Sequence, residues 1–231
     1  MIPGTPVRAP VKSILSPPKS DRKESKTVHD KVTNRHVAHD SVFKTVSKQK
    51  DGQKVVGTAV RALNGVLMTA HQVAENEVEL YDQADDQMKN LLALVEPAKN
   101  KKLDVAWASV HPKKHSLAFA RKQLNSKPQF VEGSATVVMA KTTQSSGQIN
   151  AKSNDPTKCV HNMSTEKGDS GAPIVTGEKA HLVGIHTSAG GRVGQNHFTP
   201  IGVISSWVAT LNVKSPKAKK PSSAPATGTK N

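Results

Sequence analysis

One hexapeptide constrains this chain more than anything else in it: Gly168-Asp169-Ser170-Gly171-Ala172-Pro173, followed at once by the apolar pair Ile174-Val175. A glycine-flanked serine on a tight turn, at the mouth of a buried strand, exposes one hydroxyl and aims backbone N–H groups at the same point. Upstream, Leu67-Met68-Thr69-Ala70-His71 delivers a histidine from an apolar run, and Leu103-Asp104-Val105-Ala106-Trp107 carries an aspartate in another. A serine hydroxyl is a poor nucleophile at neutral pH. It needs a base for its proton, a group that orients the base, and donors for the oxyanion that forms. In that division of labour Ser170 attacks, His71 acts as general base and then acid, and Asp104 holds the imidazole in the right tautomer. The N–H groups of Gly168 and Ser170 form the oxyanion hole. Gly168 permits the turn, and Gly171 is expected to leave room for a substrate backbone.

Taken singly, each piece has a plain structural reading: a turn, a strand-end histidine, a capping aspartate. Together, in one order and each in a suitable local context, they point to nucleophilic catalysis. Asp82, Asp85 and Asp86 compete with Asp104 for the acid's role but sit in a polar loop rather than an apolar strand.

The rest of the chain reads as short strands with turns between them, the pattern of an all-β sandwich or barrel. Val55 to Ala62 and Val66 to Ala70 flank Leu63-Asn64-Gly65, a hairpin signal. Glu77 to Asp82, Leu91 to Glu96, Leu103 to Val110 and Ala135 to Lys141 are further apolar runs, and 142–150 reads as a Gly/Ser/Gln loop. Ile174-Val175 and His181 to His186 form a second hairpin. Val203, Ile204, Trp207, Val208 and Leu211 fall at helical spacing and predict a closing amphipathic helix.

Residues 1–50 hold many prolines and lysines and no sustained apolar period. They read as a disordered arm, with Val42 to Val46 available as a first strand. Of the net charge of +15, residues 1–54 carry +7 and the Lys/Pro tail 214–231 carries +5. Such tails suit a phosphate backbone without sequence selection; the alternative is a solvated linker.

The only cysteine is Cys159, so no internal disulfide forms, which fits a reducing compartment. The sequence has no signal-peptide pattern and no apolar run long enough for a transmembrane helix. His29, His36, His39, His111, His115, His161, His181 and His197 show no metal-ligand spacing and read as surface or structural residues, so no metal and no cofactor is expected.

The order His, Asp, Ser belongs to the chymotrypsin arrangement among the folds that carry this triad. Thr69-Ala70-His71, Asp104-Val105-Ala106 and Gly168 to Pro173 resemble the three motifs of the chymotrypsin-like serine proteases. Phe198-Thr199-Pro200-Ile201 leading into Ile204 to Val208 is similar to that family's final strand and C-terminal helix. The resemblance implies two six-stranded antiparallel β-barrels with a C-terminal helix. The first would span about 51–122 and the second about 130–213 of a protease domain 51–213, between the arm 1–50 and the tail 214–231.

Asp104 follows His71 by 33 residues and Ser170 follows Asp104 by 66. That compactness, the missing cysteines and the basic tails look like viral members, in the manner of astrovirus, sobemovirus or alphavirus proteases. The resemblance also places the S1 pocket at Thr165, His186 and Ser188, similar to glutamyl endopeptidases and to viral proteases that cut after Glu or Gln. Imidazole and hydroxyl groups can donate to a P1 carbonyl or carboxylate. The competing reading is that His186 is an ordinary strand histidine. Zymogen control through Asp169 is not expected; that carboxylate should bond local backbone or a nearby lysine.

The function implied is a serine endopeptidase that processes a viral polyprotein in the host cytoplasm. The alternative is a capsid protein on the same fold, with an RNA-binding arm, cleavage only in cis, and a place in the virion. A cellular or bacterial glutamyl endopeptidase is a third.

Overall fold

A computed structural model of the chain describes residues 40–83, 85–110, 123–127, 132–138, 144–151, 153, 155, 157–189 and 195–213. The basic arm before residue 40, the tail after 213 and His29, His36, His39, His111 and His115 lie outside them. The described chain forms thirteen strands, one 3-10 turn and one α-helix.

The first half is built from β1 (Val42–Lys48), β2 (Lys54–Ala62), β3 (Gly65–Met68), β4 (Val78–Asp82), β5 (Leu91–Val95), β6 (Ala98–Asn100) and β7 (Val105–Ser109). β1 occupies the place where the sequence allowed a first strand inside the arm. The β2–β3 hairpin turns at Leu63-Asn64, both at positive φ (51° and 56°), the conformation a two-residue type I′ turn demands. Gly65 is already in the strand, and a β-carbon there would overlap the Trp107 indole and the Ala108 carbonyl.

These strands do not make the expected six-stranded barrel. They form a seven-stranded open sheet in the order β5-β4-β1-β2-β3-β7-β6. Its two edges, β5 and β6, are neighbours in the chain and separated only by Glu96-Pro97. β5 pairs with β4 and β6 pairs with β7, and no ladder joins β5 to β6 among the described residues, so the sheet stays open.

The second half is the six-stranded closed barrel that was expected. It consists of β8 (Gly133–Val138), β9 (Gln144–Asn150), β10 (Cys159–His161), β11 (Pro173–Thr176), β12 (His181–Ala189) and β13 (Asn196–Pro200). Its order is β10-β13-β12-β11-β8-β9, closed by the β10–β9 pairing. β9 occupies most of the stretch read as a loop. Its Ser/Gly/Gln composition has poor strand propensity, but it pairs along its whole length with β8, from Gly133↔Ile149 to Val138↔Gln144.

Apolar side chains segregate into three clusters. One lies inside the open sheet around Val66, Met68, Val78 and Leu80, and one inside the barrel around Val137, Ile174, Met163 and Phe198. The largest joins the halves: Val60, Leu67, Val105 and Trp107 of the sheet meet Leu182 and Ile185 of the barrel. Helix α1 (Ile201–Val213) closes this shared core with Ile201, Ile204 and Val208. Each such side chain contributes roughly 1.5–3 kcal/mol of burial, so the seam between the halves is a structural core in its own right. Residues 123–127 strap across it: Leu124 N–H donates to the Arg61 carbonyl, and Lys127 N–H to that of Leu182.

Candidate active site

The site residues sit where strands of the two halves run out. β3 ends at Met68 and gives way to the 3-10 turn Ala70–Gln72, which carries His71. Asp104 precedes β7 with φ at 53°, a left-handed conformation that Asp tolerates better than most residues. Both Asp104 carboxylate oxygens reach His71 Nδ1, at 2.9 and 3.0 Å, and Oδ1 also accepts from the His71 backbone N–H at 3.1 Å. A carboxylate can only accept, so the imidazole bears its proton at Nδ1. Nε2 is left as a lone-pair base, 3.5 Å from Thr69 Oγ1. Asp85 bonds the Asn90 N–H and Asp86 pairs with Lys44, so neither reaches His71.

The Ser170 turn is held from two sides. Gly171 N–H donates to the His186 carbonyl and His186 N–H to that of Ala172, both at 2.8 Å, tying the turn to β12. From the other side, the open sheet grips two of its carbonyls. Thr58 N–H and Gln72 Nε2 donate to the Ser170 carbonyl at 2.9 and 2.7 Å, and Thr58 Oγ1 donates to that of Gly168 at 2.8 Å. The turn therefore hangs against the residue next to His71.

Gly168 and Gly171 take φ of +103° and +90°. A side chain on Gly171 would collide with the Thr58 carbonyl and the Gln72 amide, so this glycine makes room for the protein's own backbone rather than for a substrate's. Asp169 accepts the Glu166 N–H at 2.6 Å, the local backbone bond the sequence allowed for.

Thr165, His186 and Ser188 lie on the approach to that turn and on β12. Asn196 Nδ2 on β13 donates to Thr165 Oγ1 at 3.2 Å and to the Met163 carbonyl at 2.7 Å, which fixes Thr165. His186 is buried, and its Nδ1 lies 3.0 Å from Nε2 of His161 on β10. Sequence reading passed His161 over as surface or structural. It is buried and in direct contact with His186; its apolar neighbours Cys159 and Val160 were the available signal for the burial.

Burial pushes His161 down to about 3 and His186 to about 4, the latter against an upward pull from the His197 backbone. Both rings are thus neutral at neutral pH. His161 Nδ1 is buried and has no hydrogen-bond partner among the described residues. A bare lone pair there costs less than a stranded N–H. The favoured arrangement therefore has His161 Nε2–H donating to His186 Nδ1, and His186 carries its own proton on Nε2. A cleft of about 430 Å³ lies against His71 beside Lys50, Asp51, Val55 and Glu75, separate from these S1 candidates. Among the described residues no His, Cys, Asp or Glu cluster is arranged to hold a metal ion, and no helix is long and apolar enough to cross a membrane.

A glycine-flanked serine turn, a carboxylate-held imidazole and two β halves joined by a core fit the architecture of a trypsin-like serine endopeptidase. The trypsin family model matches residues 27–208, and the chain belongs to that family. No curated protein matches it. Among solved structures it is similar to a serine endoprotease from Yersinia pestis, at 14% identity and TM-score 0.62 over 81% of this chain and 69% of that one. The active form of an M. tuberculosis protease matches at 18% identity and TM-score 0.60, over 94% of this chain and 97% of that one. A human pathogenic astrovirus serine protease matches at 13% identity and TM-score 0.52, over 70% of this chain and 90% of that one. These likenesses concern the fold. They span bacterial and viral proteases, so the viral subclass is not among what they establish.

Proposed function

We propose that this serine endopeptidase works through Ser170, His71 and Asp104 and cleaves a polyprotein after Gln or Glu. Ser170 Oγ attacks the scissile carbonyl carbon while its proton passes to His71 Nε2. The resulting oxyanion takes hydrogen bonds from the N–H groups of Gly168 and Ser170. The C–N bond then breaks as His71 Nε2 gives the proton to the leaving amine, and water releases the acyl group by the same steps in reverse order. The observation that carries this reading is the grip of both Asp104 oxygens on His71 Nδ1. It fixes the tautomer that leaves Nε2 free to act as a base.

The specificity reading rests on the neutral His161–His186 pair. A neutral His186 suits the uncharged side chain of a P1 glutamine; a P1 glutamate adds the cost of placing a charge beside a buried ring. Thr165 and Ser188 supply hydroxyls to the same side chain. The viral polyprotein as substrate is proposed on the compact spacing, the single cysteine and the basic tails.

Cleavage of a peptide library with P1 varied tests the proposal. Gln and Glu should dominate for the wild type, Ser170→Ala should be inert, and His186→Leu should lose the Gln/Glu preference. An unchanged P1 profile in His186→Leu would refute the pocket assignment. Multiple turnover on added peptides would exclude the capsid alternative with cleavage only in cis.

A further inference from the structure

The residue after His71 is a fully enclosed glutamine. Gln72 is 2% exposed, and its three side-chain hydrogen bonds among the described residues all cross between elements. Nε2 donates to the carbonyls of Ser170 (2.7 Å) and Thr58 (3.1 Å), and Oε1 accepts from Thr45 Oγ1 at 2.7 Å. The orientation of the amide follows from chemistry. Two carbonyls can only accept, so the nitrogen must face them, and the threonine hydroxyl must then donate to the oxygen.

The surroundings are shaped around this group. A β-carbon on Gly57 would overlap Gln72 Oε1, and one on Gly171 would press on Nε2 at 2.6 Å. One planar amide, fixed to β1 and β2, thus holds the carbonyl of Ser170 from a position adjacent in sequence to His71.

We infer that Gln72 is a positioning residue: its amide ties the turn bearing the base to the turn bearing the nucleophile and sets the distance between them. This rests on the reading of His71 and Ser170 given above. The Ser170 carbonyl belongs to the peptide whose N–H, that of Gly171, donates to the His186 carbonyl on the other side, so the amide helps pin the peptide plane that follows the nucleophile. Loss of the amide would let the two halves of the catalytic pair drift, and a displacement of about 1 Å between reacting groups can cost on the order of a hundredfold in rate. The contact with substrate is unaffected, so the loss should fall on kcat.

Three variants test this, with rates expressed per active site titrated by a fluorophosphonate. Gln72→Met keeps length and removes both donors; kcat should fall about tenfold to a hundredfold while KM moves less than about twofold. Gln72→Glu places an acceptor-only carboxylate against two carbonyls when ionised. Its kcat relative to wild type should recover as the pH is lowered from about 8 to about 5, because the protonated acid regains a donor. Thr45→Val keeps the amide and removes the anchor of its oxygen, and decides the matter if Gln72→Met does not fold; a lowered kcat at unchanged KM is again expected. The inference is overturned if the folded Met and Val variants keep kcat within twofold, or if the Glu variant's deficit is the same at every pH. Ser170→Ala run alongside separates the two levels. If it still cleaves, the catalytic reading itself fails; if it is inert while the Gln72 and Thr45 variants retain full kcat, only the clamp fails.

Discussion

Acidification should destabilise this fold well before its carboxylates titrate, and the buried His161–His186 pair is the reason. Burial holds His186 at about 4 against an ordinary value of 6.5, and His161 lower still, at about 3. A folded-state value below the unfolded one means that the unfolded chain takes up protons first. The stability linked to the pair is therefore complete above about pH 6.5 and is lost as the pH falls toward 4. For His186 alone the interval is about 2.5 units, which at 1.36 kcal/mol per unit is on the order of 3 kcal/mol. His161 adds to this, because the unfolded chain protonates both rings independently while two positive charges in contact repel in the folded state.

The assay is urea unfolding of the wild type and of the double variant His161→Phe/His186→Phe at steps between pH 7 and 4.5. Other groups titrate in both proteins, so the difference between the two curves isolates the pair. The wild type should lose on the order of 2 kcal/mol per ring, so roughly 4–5 kcal/mol, more than the double variant over that range. Parallel curves would refute the argument, since they would mean that the rings are hydrated or charged in the folded state.

Asp104→Asn should keep the fold and lower kcat by about three to four orders of magnitude, because an amide can hold the imidazole in the wrong tautomer; Asp85→Asn should leave kcat unchanged, and steady-state kinetics distinguish the two. Gly171→Ala places a side chain at φ +90° against the Thr58 carbonyl and should cost on the order of 3 kcal/mol in a denaturation experiment. Thr199→Val removes the 2.8 Å bond from Thr199 Oγ1 to the Leu103 carbonyl, which steadies the residue before Asp104. It should cost about 1 kcal/mol of stability by the same measurement.

What was readable in the sequence is what local chemistry dictates. The Ser170 turn showed through its flanking glycines, and His71 and Asp104 through the apolar runs beside them. The closing helix showed in the spacing of Ile204, Trp207 and Val208. What was hidden depends on partners distant in the chain. β9 is polar enough to pass for a loop and is a strand because β8 and β10 flank it. That the first sheet stays open depends on β5 pairing with β4 and β6 with β7, ladders between segments that local patterning does not reveal. Gln72 gives no sequence signal, since its three partners lie 14, 27 and 98 residues away. His161 became meaningful only when β10 brought it against His186.

The central claim is that Ser170 is the nucleophile, driven by His71. Intact mass spectrometry with peptide mapping after treatment with a fluorophosphonate tests it most directly. One phosphonyl group should be found on Ser170 of the wild type and none on Ser170→Ala, and His71→Ala should label at least about a hundredfold more slowly. An adduct on any other residue, or labelling of Ser170 at an undiminished rate without His71, would contradict the account.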